Sequence, residues 1–188
     1  NCLTCTPGKF EDVTVETGPR TKCVACSSGK YQRFSNATTC GVCLQGQYSS
    51  SSGASACIKC SLGQISASDS AFSCTNCLAG TYTDESGLSV CKVCAGGKAS
   101  PDGAPTCNMC AEGQFREENG ANLCAKCEAG RYANTSGSTT CAVCAGGSSS
   151  PAGAPTCNLC AEGQFRAVNG DNFCSKCIAV SRPMLLDR

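Results

Sequence analysis

The chain has 188 residues, 22 of them cysteine, a net charge of +1, and neither histidine nor tryptophan. Cysteine at about 12% is the composition of a disulfide scaffold, and Leu, Ile, Val and Phe together supply only about 14%, too little for an ordinary apolar core. Scattered charge excludes the clustered Lys and Arg of a nucleic-acid footprint, and no apolar run is long enough for a membrane span.

Eleven CxxC pairs begin at Cys2, Cys23, Cys40, Cys57, Cys74, Cys91, Cys107, Cys124, Cys141, Cys157 and Cys174; after a first step of 21 the spacing is 16 or 17 residues. Such regularity is a tandem repeat, and it decides the fold class before any local signal does. Residues 1–23 read as an irregular first repeat with a longer polar loop carrying Thr14, Glu16 and Pro19. The chain opens inside a CxxC pair, as expected of a mature or trimmed piece of a longer secreted protein. Residues 24–177 read as the tandem array of repeats of about 17 residues. Within it, CAGGKASPDGAPTCNMCAEGQFR recurs as CAGGSSSPAGAPTCNLCAEGQFR at an offset of 50, so three short units form a higher repeat. Residues 178–188 read as a non-repeat tail, with Val180 where glycine is expected and Met184, Leu185 and Leu186 as its apolar cluster.

Inside each unit a glycine follows the second cysteine of a pair by three residues, from Gly8 to Gly163, and in most units a second glycine, such as Gly53 or Gly87, precedes the next cysteine by four. A backbone turning beside a disulfide wants positive φ or close approach, and glycine supplies both. Each unit is therefore expected to be a looped hairpin of short strands, too short for helices and touching mainly its neighbours. Two residues after the first glycine stands a ring or Ile65: Phe10, Tyr31, Tyr48, Tyr82, Phe115, Tyr132 or Phe165. It is expected to pack on its own disulfide and its neighbour. Ala99 and Ser149 replace it in two units one residue shorter, which predicts altered packing or a bend there.

Three chemistries fit CxxC. Structural zinc would consume pairs two at a time and leave one of the eleven over. A redox CxxC opens a helix in a βαβ frame that this pattern lacks. Structural disulfides in an oxidising compartment fit best. The simplest ladder joins the second cysteine of one pair to the first of the next: Cys5–Cys23, Cys26–Cys40, Cys43–Cys57, Cys60–Cys74, Cys77–Cys91, Cys94–Cys107, Cys110–Cys124, Cys127–Cys141, Cys144–Cys157 and Cys160–Cys174. Each bond closes a loop worth about 3 kcal/mol in the chain-entropy model, against about 2 kcal/mol for a bond within one CxxC. A crossed pattern, first to first and second to second, needs an even number of pairs in a closed module. The ladder leaves Cys2 and Cys177 over, to bond neighbouring segments or another chain.

The motif C-x-x-G-x-[YF]-x(n)-G-x-x-x-C, as in CLAGTYTDESGLSVC and CEAGRYANTSGSTTC, with CAGGSSSPAGAPTC as a ringless copy, resembles the ephrin-receptor-like cysteine-rich repeat across residues 2–177. It is also similar to the first half-module of tumour-necrosis-factor-receptor domains and to cysteine-rich repeats of growth-factor receptors. The resemblance implies an elongated, disulfide-laddered rod outside the cell. The alternating second module that builds receptor ligand surfaces is missing, which favours a repetitive stalk, coat or filament.

Two sequons, Asn36-Ala37-Thr38 and Asn134-Thr135-Ser136, are expected to carry N-glycans. Dense Ser and Thr over Tyr48–Ser55 and Ser136–Thr140 suit O-glycans on composition alone. No nucleophile–base pair or carboxylate pair is suggested, so no catalytic residue, cofactor or metal is expected. Asp102, Asp171 and Glu162 read as solvated loop charges, with calcium ligation the weaker alternative. The expected function is structural, in an extracellular or cell-surface glycosylated array whose partners are copies of itself or neighbouring repeats. The alternative is the stalk or binding region of a receptor, adhesin or protist surface antigen.

Overall fold

The computed structural model describes residues 4–12, 22–118, 120–167 and 172–177. Cys2, the polar loop of the first repeat, Asp171 and the tail with Val180 lie outside them. The described residues hold no helix, only short strands, turns and bends. They divide into two compact units, one taking Asn1–Cys94 and Ala99–Asn108, the other Ala95–Lys98 and Met109–Arg188.

In the first unit the opening hairpin pairs Lys9–Asp12 with Lys22–Ala25 in antiparallel register. Four two-residue ladders follow: Lys30–Tyr31 with Gly41–Val42, Gln47–Tyr48 with Ile58–Lys59, Gln64–Ile65 with Thr75–Asn76, and Thr81–Tyr82 with Lys92–Val93. The second unit repeats the scheme with Gln114–Phe115 on Ala125–Lys126, Arg131–Tyr132 on Ala142–Val143, Ser148–Ser149 on Asn158–Leu159, and Gln164–Phe165 on Ser175–Lys176. The strands Lys98–Ala99 and Asn108–Met109 are themselves split by the division. The two middle residues of each later CxxC thus form the return strand of a hairpin. Four-residue spacing between cysteines leaves room for no more.

Ten disulfides join Cys5–Cys23, Cys26–Cys40, Cys43–Cys57, Cys60–Cys74, Cys77–Cys91, Cys94–Cys107, Cys110–Cys124, Cys127–Cys141, Cys144–Cys157 and Cys160–Cys174. They follow the simple ladder throughout. From Cys5 to Cys144 the second cysteine of each pair is buried, while the described first cysteines are half-buried, so the interior of each unit is mainly sulfur. No large hydrophobic core accompanies it. A loop of 14 residues closed by such a bond needs little hydrocarbon, because about 3 kcal/mol comes from the lost freedom of the unfolded chain.

The repeats are also bonded backbone to backbone. Gly29 N–H donates to the Ser49 carbonyl at 2.8 Å, Gln32 N–H to Ala54 at 3.0 Å, and Gly53 N–H back to Cys26 at 2.7 Å. Contact extends further than the nearest neighbour, contrary to the expectation from the repeat alone. A Cβ on Gly29 would stand 2.0 Å from the carbonyl oxygen of Ser70, two repeats on, and a Cβ on Gly113 would stand 2.0 Å from that of Gly153. Both glycines also hold positive φ, 80° and 77°. Close approach and left-handed backbone therefore act together at this position.

The second glycine position is less strict. In two repeats it is filled by Asn36 and Ser70, the two positive-φ residues other than glycine among the described residues, at 57° and 60°. Asn tolerates that conformation by hydrogen-bonding locally.

The ring expectation needs correction in part. The rings are half-buried, and Phe165 is 53% exposed. Tyr31 lies over its cross-strand partner Gly41, where a Cβ would stand 3.0 Å from the ring. The residue buried in most units is the next one along, a small Ser49, Ser66, Thr83, Ser100, Ala133 or Ser150. At the ringless units the strand pair persists and the change falls in the loop. There Ala104 N–H closes on the Pro101 carbonyl and Ala154 N–H on that of Pro151, both at 3.3 Å, and both alanines are buried.

Candidate interaction surface

The described residues contain no cluster of three or more His, Cys, Asp or Glu able to hold a metal ion. The loop carboxylates serve the backbone instead. Asp102 accepts the Ala79 N–H at 2.6 Å, and Asp69 at the matching place accepts the Gln45 N–H at 3.0 Å. Asp102 is thus an exposed loop charge tied to the preceding repeat; Glu162 is also exposed. Lys92 and Asp84 pair across one hairpin at 2.6 Å. That hydrogen bond holds the Asp84 carboxyl below its ordinary value and the Lys92 ammonium above its own.

Two buried guanidinium groups were not foreseen. Arg116 and Arg166 occupy the position that is Ser, Thr or Ala in six other units and Glu11 and Gln32 in the first two. Arg116 donates Nε to the Ala121 carbonyl at 2.7 Å and Nη1 to Ala95 at 3.1 Å. Arg166 donates Nη1 to Cys144 at 3.0 Å and Ser148 at 3.2 Å. Each reaches back one repeat to donate to backbone carbonyls there. The recurrence of FR at the offset of 50 was the available signal.

The outer surface carries two shallow grooves at matching places. One, of about 540 Å³, runs from Phe10 past Lys30 to Thr38, Thr39 and Cys40. The other, of about 460 Å³, runs from Phe115 past Arg131 to Thr140 and Cys141. In each, the ring comes from one repeat and the cation from the next. The second middle residue of the CxxC pairs is exposed as Val42, Val93, Met109, Val143 and Leu159, the last at 87%. Cys177 is exposed and unbonded.

Both sequons are exposed. Asn36 sits in a turn whose backbone is held from outside, with its N–H donated to the Cys5 carbonyl at 2.9 Å and the Ala37 carbonyl accepting from Glu11 at 2.7 Å. Asn134 follows Ala133, whose carbonyl accepts the Gly113 N–H at 2.8 Å. The hydroxyl of Thr135, the middle residue of the second sequon, lies 3.2 Å from that of Ser138.

No helix among the described residues is long and apolar enough to cross a membrane. No curated protein matches the chain. A family model described as tyrosine-protein kinase ephrin type A/B receptor-like matches residues 29–73. Repeats of this kind form a non-catalytic extracellular module, and the disulfides agree with an oxidising, extracellular setting. Residues 29–73 are thus similar to the ephrin-receptor-like cysteine-rich repeat, and the same CxxC ladder runs through the other disulfide-closed repeats of the chain.

Proposed function

We propose that this chain is a structural stretch of an extracellular protein, a glycosylated building block of a coat, stalk or filament. The observation that carries the reading is the lattice itself. Disulfides close each repeat, backbone hydrogen bonds tie repeats to their neighbours, and glycine contacts reach the one after. Such a lattice spreads load over many covalent and polar links. Glycans on Asn36 and Asn134 would project from exposed turns. Cys177, exposed and outside the ladder, supports covalent joining of one copy to another.

The family match favours a second reading, the stalk of a receptor or adhesin whose binding domain lies elsewhere. Electron microscopy of native material purified without reductant separates the two. Fibres that have a repeating axial period and come apart on mild reduction support the filament. Thin stalks ending in a globular head support the receptor or adhesin. Monodisperse short monomers overturn polymerisation.

A further inference from the structure

Phe34 is 71% exposed, in a chain with very few large apolar side chains. It stands two residues before Asn36, and Thr38 stands two residues after, in one turn. The turn is fixed at both ends. The Gln32 side chain accepts the Phe34 N–H at 2.9 Å and donates to the Thr39 carbonyl at 2.5 Å. The Asn36 N–H is held by Cys5, and φ at Asn36 is 57°. Glycine fills this left-handed position in most of the other repeats, so asparagine is placed here at a conformational cost glycine would avoid.

We propose that Phe34, Asn36 and Thr38 form a seat for the first N-acetylglucosamine of a glycan on Asn36, with the Phe34 ring stacked on the sugar's apolar C–H face. This rests on the glycosylation reading above. The alternating residues flank the attachment point, and the ring is the hydrocarbon a sugar face would cover. Covalent attachment removes the need for a deep pocket, because a tethered group sits at millimolar effective concentration or above. The second sequon provides a reference within the same molecule. The residue two before Asn134 is Tyr132, a half-buried strand residue and not an exposed turn residue.

The test uses the whole chain secreted from a eukaryotic host, its glycans trimmed enzymatically to the single attached sugar. Mass spectrometry reads occupancy at both sites. NMR then reads the acetyl-methyl proton of each sugar. The Asn36 signal is expected upfield of the Asn134 signal, and Phe34→Ser is expected to abolish that shift while leaving the disulfide map intact. An occupied Asn36 with no ring shift, or one unchanged by Phe34→Ser, overturns the seat alone. An unoccupied Asn36 overturns both the seat and the glycosylation reading at that site.

Discussion

Gly113→Ala and Gly147→Ala impose the same backbone penalty in two different surroundings. Both glycines hold positive φ, 77° and 76°. A Cβ on Gly113 meets the Gly153 carbonyl oxygen at 2.0 Å and its carbon at 2.6 Å, whereas a Cβ on Gly147 meets nothing within 4 Å among the described residues. An ordinary carbon–oxygen contact is about 3.3 Å or more, so the Gly153 peptide must retreat by more than about 1 Å. It is not free to do so, because the Gly153 N–H is bonded to the Cys127 carbonyl at 2.7 Å. Left-handed strain costs about 1–2 kcal/mol in either variant. Displacing packed backbone adds about 1–3 kcal/mol, and breaking the Gly153 bond about 1 kcal/mol. Gly113→Ala should therefore exceed Gly147→Ala by about 2–4 kcal/mol, a factor of roughly 30 or more where tenfold is 1.4 kcal/mol. Hydrogen exchange at the Cys127 and Gly153 amides reads the first variant. Exchange at Cys160, whose N–H is bonded to the Gly147 carbonyl at 2.8 Å, reads the second. Peptide mapping confirms that both keep the ladder. Equal acceleration in the two variants would refute the argument that close approach, beyond φ alone, selects glycine here.

The Thr83 hydroxyl is fully buried without a hydrogen-bond partner. Thr83→Val keeps the volume and removes the orphan, so calorimetry should find the protein stabilised by about 1 kcal/mol. Arg116→Ser removes a charged donor from the Ala95 and Ala121 carbonyls and should cost about 3 kcal/mol by the same measurement. Arg116→Lys should not restore it, because an ammonium lacks the planar fork. The Asp84–Lys92 pair predicts a pH window. Its contribution is present between the ordinary values of 3.8 and 10.5, lost in acid as pH falls through the lowered Asp84 pKa and in alkali as pH rises through the raised Lys92 pKa. NMR titration should place Asp84 below 3.8, and Lys92→Met should move it back up.

Much of this molecule was legible in the spacing of one residue type. Cysteine pairs at a near-constant interval, on a background too poor in Leu, Ile, Val and Phe to bury a core, require covalent closure of short loops. The hairpin class and the order of the repeats follow from local chemistry. So does the need for glycine, because positive φ is a property of one residue's own backbone.

The tertiary structure decided what depends on residues far apart in the chain. At Gly8, Gly29, Gly46, Gly63, Gly97 and Gly113 the first glycine of a repeat faces a carbonyl two repeats away, a contact that no feature of its own repeat encodes. Asn36 and Ser70 stand at the second glycine position, where an added Cβ meets side-chain atoms at 3.1–3.2 Å at Gly87, Gly103 and Gly153 and none closer than 3.8 Å at Gly53, in place of the backbone carbonyl at 2.0 Å beside Gly29 or Gly113. In six units the buried residue at the strand end is the small one after the ring position. A hydroxyl or methyl fits between two backbones packed this closely, while a ring must lean on the outer face of its own hairpin. Arg116 and Arg166 enter that interior only because their guanidinium groups find carbonyls of the preceding repeat. Where those acceptors stand is set by how one repeat docks on another, and so it emerges in three dimensions and not along the sequence.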